Sequence, residues 1–136
     1  MNVFIDTNIL LDVLCKRKPF YPDSYRIFQL CEAGLVNGNL SALSIADIVY
    51  ILRKELNPDK IKEIINTIFL IFKVSDLKAD DLQSAASLHF DDYEDALQTI
   101  CAKRTNSSYI ISRNTKDFVN SDIPVLTPAE FCNLFD

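Results

Sequence analysis

Asn2-Val3-Phe4-Ile5-Asp6-Thr7-Asn8-Ile9-Leu10-Leu11-Asp12 holds a short apolar run, Val3-Phe4-Ile5, then a polar step at Asp6-Thr7-Asn8, then apolar residues at helical spacing. The pattern predicts a buried strand that ends in a carboxylate and passes directly into a helix. In open α/β sheets the ligand crevice lies outside the carboxyl ends of the strands. Asp6 is therefore expected on the floor of such a crevice, and the rest of the chain is read for its companions.

Outward from this stretch, residues 7–15 read as a helix capped by Thr7 or Asn8 and ended by the basic Lys16-Arg17-Lys18-Pro19. Asp23 or Ser24 can cap a second helix over about 24–34, with Gly34 as its stop. Residues 39–43 read as a strand. Ser44 then opens a helix to about Glu55. Asn57-Pro58 starts another, to about Leu70. Residues 72–74 read as a short strand, and 77–89 and 92–104 as two helices. Tyr109-Ile110-Ile111-Ser112 is an apolar strand, and 124–126 a last short one. Thr127-Pro128-Ala129-Glu130 is a capping box opening the final helix. Strands alternating with helices predict an α/β three-layer sandwich, with a central parallel sheet of four to five short strands flanked by helices.

The bulk composition narrows the function. A chain of 136 residues, 49% hydrophobic with nine Phe and five Tyr, fits one domain with a real core. No apolar run reaches the roughly 18–20 residues of a membrane span. No basic segment precedes the first apolar run, so it does not read as a signal peptide. The expectation is a soluble cytoplasmic protein. Cys15, Cys31, Cys101 and Cys132 form no C-x-x-C pair and His89 is the sole histidine, so buried reduced thiols are expected rather than a zinc site. Gly34 and Gly38 are the only glycines, which excludes Gly-rich phosphate loops. A net charge of −5 speaks against a broad basic face that coats nucleic acid. It is compatible with a nucleic-acid enzyme whose acids hold divalent cations.

Each acid carries a structural and a chemical reading. Asp6 can cap a helix or hold a metal. Asp47 completes a box-like Ser44-Ile45-Ala46-Asp47, yet follows the second strand as closely as Asp6 follows the first. Asp91-Asp92-Tyr93-Glu94-Asp95 can begin a helix, where the macrodipole favours negative charge. Like charges three and four residues apart oppose that by about 0.2–0.5 kcal/mol per pair, and Asp95, beside Ala96, Leu97 and Ile100, is the member expected to point inward. After the strand at 109–112, Asn114 and Asp117 can reach a metal or its waters, and Arg113 and Lys116 can meet phosphate. Three strand ends and one helix start thus each deliver a carboxylate or amide. Oxygen ligands of this kind select Mg²⁺ or Mn²⁺.

With these residues in view, Phe4-Ile5-Asp6-Thr7-Asn8-Ile9-Leu10-Leu11-Asp12 resembles the opening motif of PIN domains. Tyr93-Glu94-Asp95-Ala96-Leu97-Gln98, the stretch Tyr109–Phe118 and the ending Ile123–Phe131 resemble later motifs of the same family, in the same order. The resemblance spans residues 1–136 as one PIN-like domain. It implies a parallel sheet with helices on both sides and metal-dependent endonucleolytic cleavage, usually of RNA, as in VapC-like toxins of toxin–antitoxin pairs. The acidic positions carry over to Asp6, Asp47, Asp95 and the Asn114–Asp117 region. Two departures stand out. The second acid is usually Glu and here is Asp47. The last acid commonly falls at Asn114, leaving Asp117 as its substitute.

The expected mechanism is that of a metal-dependent phosphodiesterase acting on single-stranded RNA. Asp6 and Asp95 hold the principal Mg²⁺ or Mn²⁺, and Asp47 with Asn114 or Asp117 complete its shell. Thr7 and Asn8 are candidates to hydrogen-bond ligand or substrate, and Lys16, Arg17, Lys18, Arg113 and Lys116 are candidate phosphate contacts, with solvated surface charge as the ordinary role for any one of them. The resemblance also implies an antitoxin protein as partner and a homodimer, for which the helices over 24–70 offer apolar faces. One rival is a catalytically impaired PIN scaffold that binds RNA or protein without cutting. Another is a receiver-like domain with Asp6 as nucleophile, which the ordered motifs at 93–98 and 109–118 disfavour.

Overall fold

Val3, Phe4 and Ile5 have no exposed surface, because β1 (Asn2–Ile5) is the middle strand of the sheet. In the computed structural model, which describes residues 1–135, five strands run in the order β3-β2-β1-β4-β5, with all four pairings parallel. The other strands are β2 (Asn37–Ser41), β3 (Lys73–Ser75), β4 (Tyr109–Ile111) and β5 (Val125–Leu126). Side chains alternate across a strand. Val3, Ile5 and Ile111 accordingly enter one core, and Phe4 and Ile110 the other. Covered faces on both sides are what a parallel sheet requires.

The first core is closed by α1 (Thr7–Leu14), α2 (Tyr21–Glu32), α3 (Ala42–Leu52), α4 (Pro58–Ile71) and α7 (Pro128–Cys132). The opposite face is covered by α6 (Tyr93–Arg104), on which α5 (Ala79–Ala85) packs. The expected three-layer sandwich is therefore observed, at the upper end of the expected strand count.

Several boundaries differ from expectation for physical reasons. Asp6, not Thr7 or Asn8, caps α1, its Oδ1 accepting the Thr7 N–H at 2.8 Å. α2 begins at Tyr21, three residues early. Ser24 is then a buried helical residue whose hydroxyl donates to Asp12 Oδ2 at 3.2 Å. β2 begins at Asn37, and Ser41 caps α3, so the box expected from Ser44 does not form and Asp47 lies one turn inside the helix. α5 is short. Gly34 ends α2 as expected, at φ +76°, with the Leu35 N–H reaching back to the Leu30 carbonyl. Cys31, Cys101 and Cys132 are buried, but Cys15, just past α1, is exposed.

β1 leads outward through β2 to β3, whereas β4 and β5 lie on its other side. Chain connections leaving β1 and β4 therefore diverge, and a crevice opens between their carboxyl ends.

Candidate active site

The crevice is built by register. Ile5 pairs with Ile111, so Asp6 and Ser112 emerge side by side, and the ladder continues through the Asp6 N–H to the Ile111 carbonyl at 3.0 Å. The Ser112 hydroxyl donates to Asp6 Oδ2 at 2.7 Å, and Asn8 Nδ2 reaches the same oxygen at 3.3 Å. Asp6 is only 9% exposed. Its capping oxygen and its second oxygen are thus both hydrogen-bonded.

Three helix starts converge here. The Thr7 and Ser44 hydroxyls share a hydrogen bond of 2.7 Å between α1 and α3. Gln98 of α6, 1% exposed, donates from Nε2 to Thr7 Oγ1 at 3.3 Å and to Ser44 Oγ at 3.2 Å. This amide braces α1, α3 and α6 against one another. On α6, Asp92 is the N-cap, its Oδ1 accepting the Glu94 N–H at 2.7 Å and the Asp95 N–H at 3.2 Å.

These elements enclose an open cavity of about 450 Å³. Asp6, Asp47, Asp92, Glu94, Asp95 and Asp117 line it together with Thr7, Asn8 and Asn114, and Leu11, Tyr50 and Ile51 form an apolar wall. The structure thus brings together Asp6, Asp47, Asp95, Asn114 and Asp117 as expected, with Thr7 and Asn8 beside them. The lining includes no Lys, Arg or His.

Other expected residues lie elsewhere. Arg113 turns away and forms a two-pronged ion pair with fully buried Asp12, at 2.7 and 3.1 Å, with its guanidinium 3.9 Å over the Phe20 ring. Arg113 is thereby committed to Asp12, because a buried carboxylate left without its partner is costly. Lys116 borders a small adjoining cleft with Asp92, Asp95 and Asp117. Lys16, Arg17 and Lys18 do not line the acid cavity. His89 lines a different hollow, with Lys103 and Asp122.

Crowded carboxylates resist ionisation. Glu94 is pushed up to about 8 by its hydrogen bond with Asp47, then by burial and by the charges of Asp47, Asp92 and Asp6. Asp95 is pushed up to about 7 by burial and by the charges of Asp92, Asp6 and Asp117. Burial raises Asp6 as well, against the hydrogen bonds from Ser112, Thr7 and Gln98 that lower it. Glu94 and Gln98 were not singled out from sequence as site residues. Both sit in the quoted 93–98 motif, and Gln98 is a polar residue among buried Ala96, Leu97, Cys101 and Ala102, which was the available signal.

The cavity's donor set is open in geometry but suited in chemistry to a divalent cation. Among the described residues no three acidic, cysteine or histidine side chains are drawn into a closed coordination group. The acids are distributed around the cavity lining instead, with Glu94 and Asp47 joined by a hydrogen bond. Their chemistry fits a hard cation. The side-chain donors are oxygens, Glu94 and Asp95 keep their protons to higher pH where no positive charge offsets their neighbours, and the buried Asn8 Oδ1 has no hydrogen-bond partner.

Comparison with known proteins agrees with this geometry. The sequence profile of the family described as PIN domain matches residues 2–116. Ribonuclease VapC1 of Aquifex aeolicus is 32% identical over 137 aligned positions, covering 96% of this chain and 93% of that protein. Among solved structures, the VapBC2 complex of Rickettsia felis bound to a DNA fragment from its promoter is similar at a TM-score of 0.71 and 15% identity, over 93% of this chain and 98% of that one. FitAcB from Neisseria gonorrhoeae is similar at a TM-score of 0.68 and 18% identity, over 93% and 98%. At such identities the structural likeness speaks for the fold.

Proposed function

The chain belongs to the PIN domain family, and from that premise we propose that residues 1–136 form one cytoplasmic, Mg²⁺- or Mn²⁺-dependent endoribonuclease domain that cleaves single-stranded RNA. We place it as the toxin of a VapBC-type pair, in line with its likeness to Ribonuclease VapC1. The observation that carries the reading is the gathering of six carboxylates in one open cavity whose lining has no cation of its own.

In this reading Asp6 and Asp95 hold the principal cation, and Asp47, Glu94, Asn114 and Asp117 complete or orient its shell. Glu94 compensates for the methylene that Asp47 lacks relative to the usual glutamate, since the two carboxyls already meet by hydrogen bond. When bound, the cation supplies a lowered pKa for an attacking water and charge stabilisation at the scissile phosphate. The chain's own contribution is preorganisation. Ser112 and the Thr7 amide fix both oxygens of Asp6, and Gln98 holds the three helix starts in place. Thr7 and Asn8 contact substrate, and Lys116, at the rim, offers charge to a flanking phosphate.

An antitoxin segment is proposed to cover the acid cavity. A homodimer is proposed through the α4 face that carries Phe69 and Leu70, both exposed. The test is cleavage of a mixed single-stranded RNA panel with Mn²⁺ or Mg²⁺, beside an Asp6→Asn protein and an EDTA control. Cutting that needs both Asp6 and the cation is the expected result. The Asn114 departure favours one second reading, a PIN scaffold that binds without cutting. A folded, metal-bound protein that leaves all RNA intact would turn the assignment to that scaffold.

A further inference from the structure

The acid cavity combines carboxylates with an apolar surface: Asp47, Tyr50 and Ile51 of α3 and Leu11 of α1 all belong to its lining. Tyr50 is 66% exposed while still lining the cavity, so most of its ring is open to a ligand. One face of its ring is covered by the Arg53 guanidinium, 3.7 Å from the ring centroid, and Arg53 also donates to the Tyr50 carbonyl. The residue that bonds the ring's own backbone thus holds a cation on one face and leaves the rest of the ring to solvent.

Spacing ties this ring to the acids. Asp47, Tyr50 and Arg53 follow one another at intervals of three, so they form one row along α3 and its C-terminal cap. Residues three apart on a helix are neighbours on its surface, with Cβ atoms roughly 5–6 Å apart. A nucleotide pairs the same two chemistries: a phosphate that belongs with acids and their cation, and a flat apolar base a short distance away. Aromatic rings accept any base, because every base has a π-face, and an adjacent arginine strengthens such a stack.

We propose that Tyr50, backed by Arg53, is the stacking platform for the unpaired base next to the scissile phosphate. The inference rests on the ribonuclease reading and names what makes that site selective for single strands. A base inside a duplex has both faces covered by its neighbours and cannot lie on Tyr50 without being extruded. Tyr50 is a positioning and selectivity residue; it exchanges no proton and holds no cation.

The chain has no tryptophan, so Tyr50→Trp creates a single reporter at the platform. Stopped-flow mixing of that protein with single-stranded and duplex RNA reads binding before cleavage. Steady-state cleavage by Tyr50→Leu and Tyr50→Phe gives KM and kcat separately. The expected result is quenching of the tryptophan by single strands and not by duplex. Tyr50→Leu should raise KM roughly tenfold with little change in kcat, and Tyr50→Phe should behave as the unaltered protein. Normal cleavage with neither quenching nor a KM effect would overturn the platform and leave the ribonuclease reading intact. A folded, unaltered protein that neither binds nor cuts RNA would overturn both.

Discussion

Asp6 is 9% exposed and still faces a cavity with five other carboxylates, and two of them, Glu94 and Asp95, answer that crowding by keeping their protons to higher pH. That has a measurable sign. In the folded protein Glu94 holds its proton to about pH 8 and Asp95 to about pH 7, whereas in the unfolded chain both release it near their ordinary values of 4.5 and 3.8. Between those limits the folded state binds more protons, and stability falls as pH rises. The metal-free protein is therefore expected to melt at progressively lower temperature from pH 5 to pH 9. Mn²⁺ competes for the same oxygens, so it should raise the melting temperature more at pH 8 than at pH 5.5. Differential scanning fluorimetry across that range checks both trends. A Mn²⁺ effect independent of pH would mean that the cation does not bind these acids.

At the scale of the element, β2 is the instructive case. Asn37-Gly38-Asn39 is poor strand sequence by propensity, yet it pairs along its length with β1. The position of Gly38 is the reason. A Cβ there would stand 2.7 Å from both Cys31 Sγ and Phe72 Cδ1, so only glycine lets α2 and the end of α4 close over the strand. Asn39 is kept in the buried strand by its side-chain amide, which donates to the Val3 and Asn37 carbonyls at 3.2 and 3.1 Å. Gly38→Ala is expected to overpack this contact and cost about 1–3 kcal/mol, read as a shifted urea midpoint with unchanged m-value. An unaltered midpoint would show that the two side chains move aside freely.

At the scale of the molecule, α4 enters the first core through Ile68 and turns other apolar side chains outward. Leu70 is 87% exposed and Phe69 lies beside it, likewise exposed, which is the surface proposed above for self-association. Sedimentation equilibrium should show a dimer that Leu70→Lys together with Phe69→Lys converts to monomer without loss of the folded spectrum. A native protein that stays monomeric at all concentrations would remove the α4 face from the proposal. Among the described residues no helix is long and apolar enough to cross a membrane.

The sequence by itself determined the alternation of strands and helices, the strand that ends at Asp6 and the company of Asp47, Asp95, Asn114 and Asp117. Those features are written in apolar periods, caps and turns spanning a few neighbouring residues, together with the order of the motifs. It could not place the start of β2, because the need for glycine at 38 arises from Cys31 and Phe72, which are remote in the chain. Nor could it see that Glu94 would meet Asp47, that Gln98 would brace three helices, or that Arg113 would be drawn to Asp12. Only the tertiary structure decided these. Each depends on which strand ends stand side by side and on the charge already buried there, and both are properties of the assembled sheet rather than of any one segment.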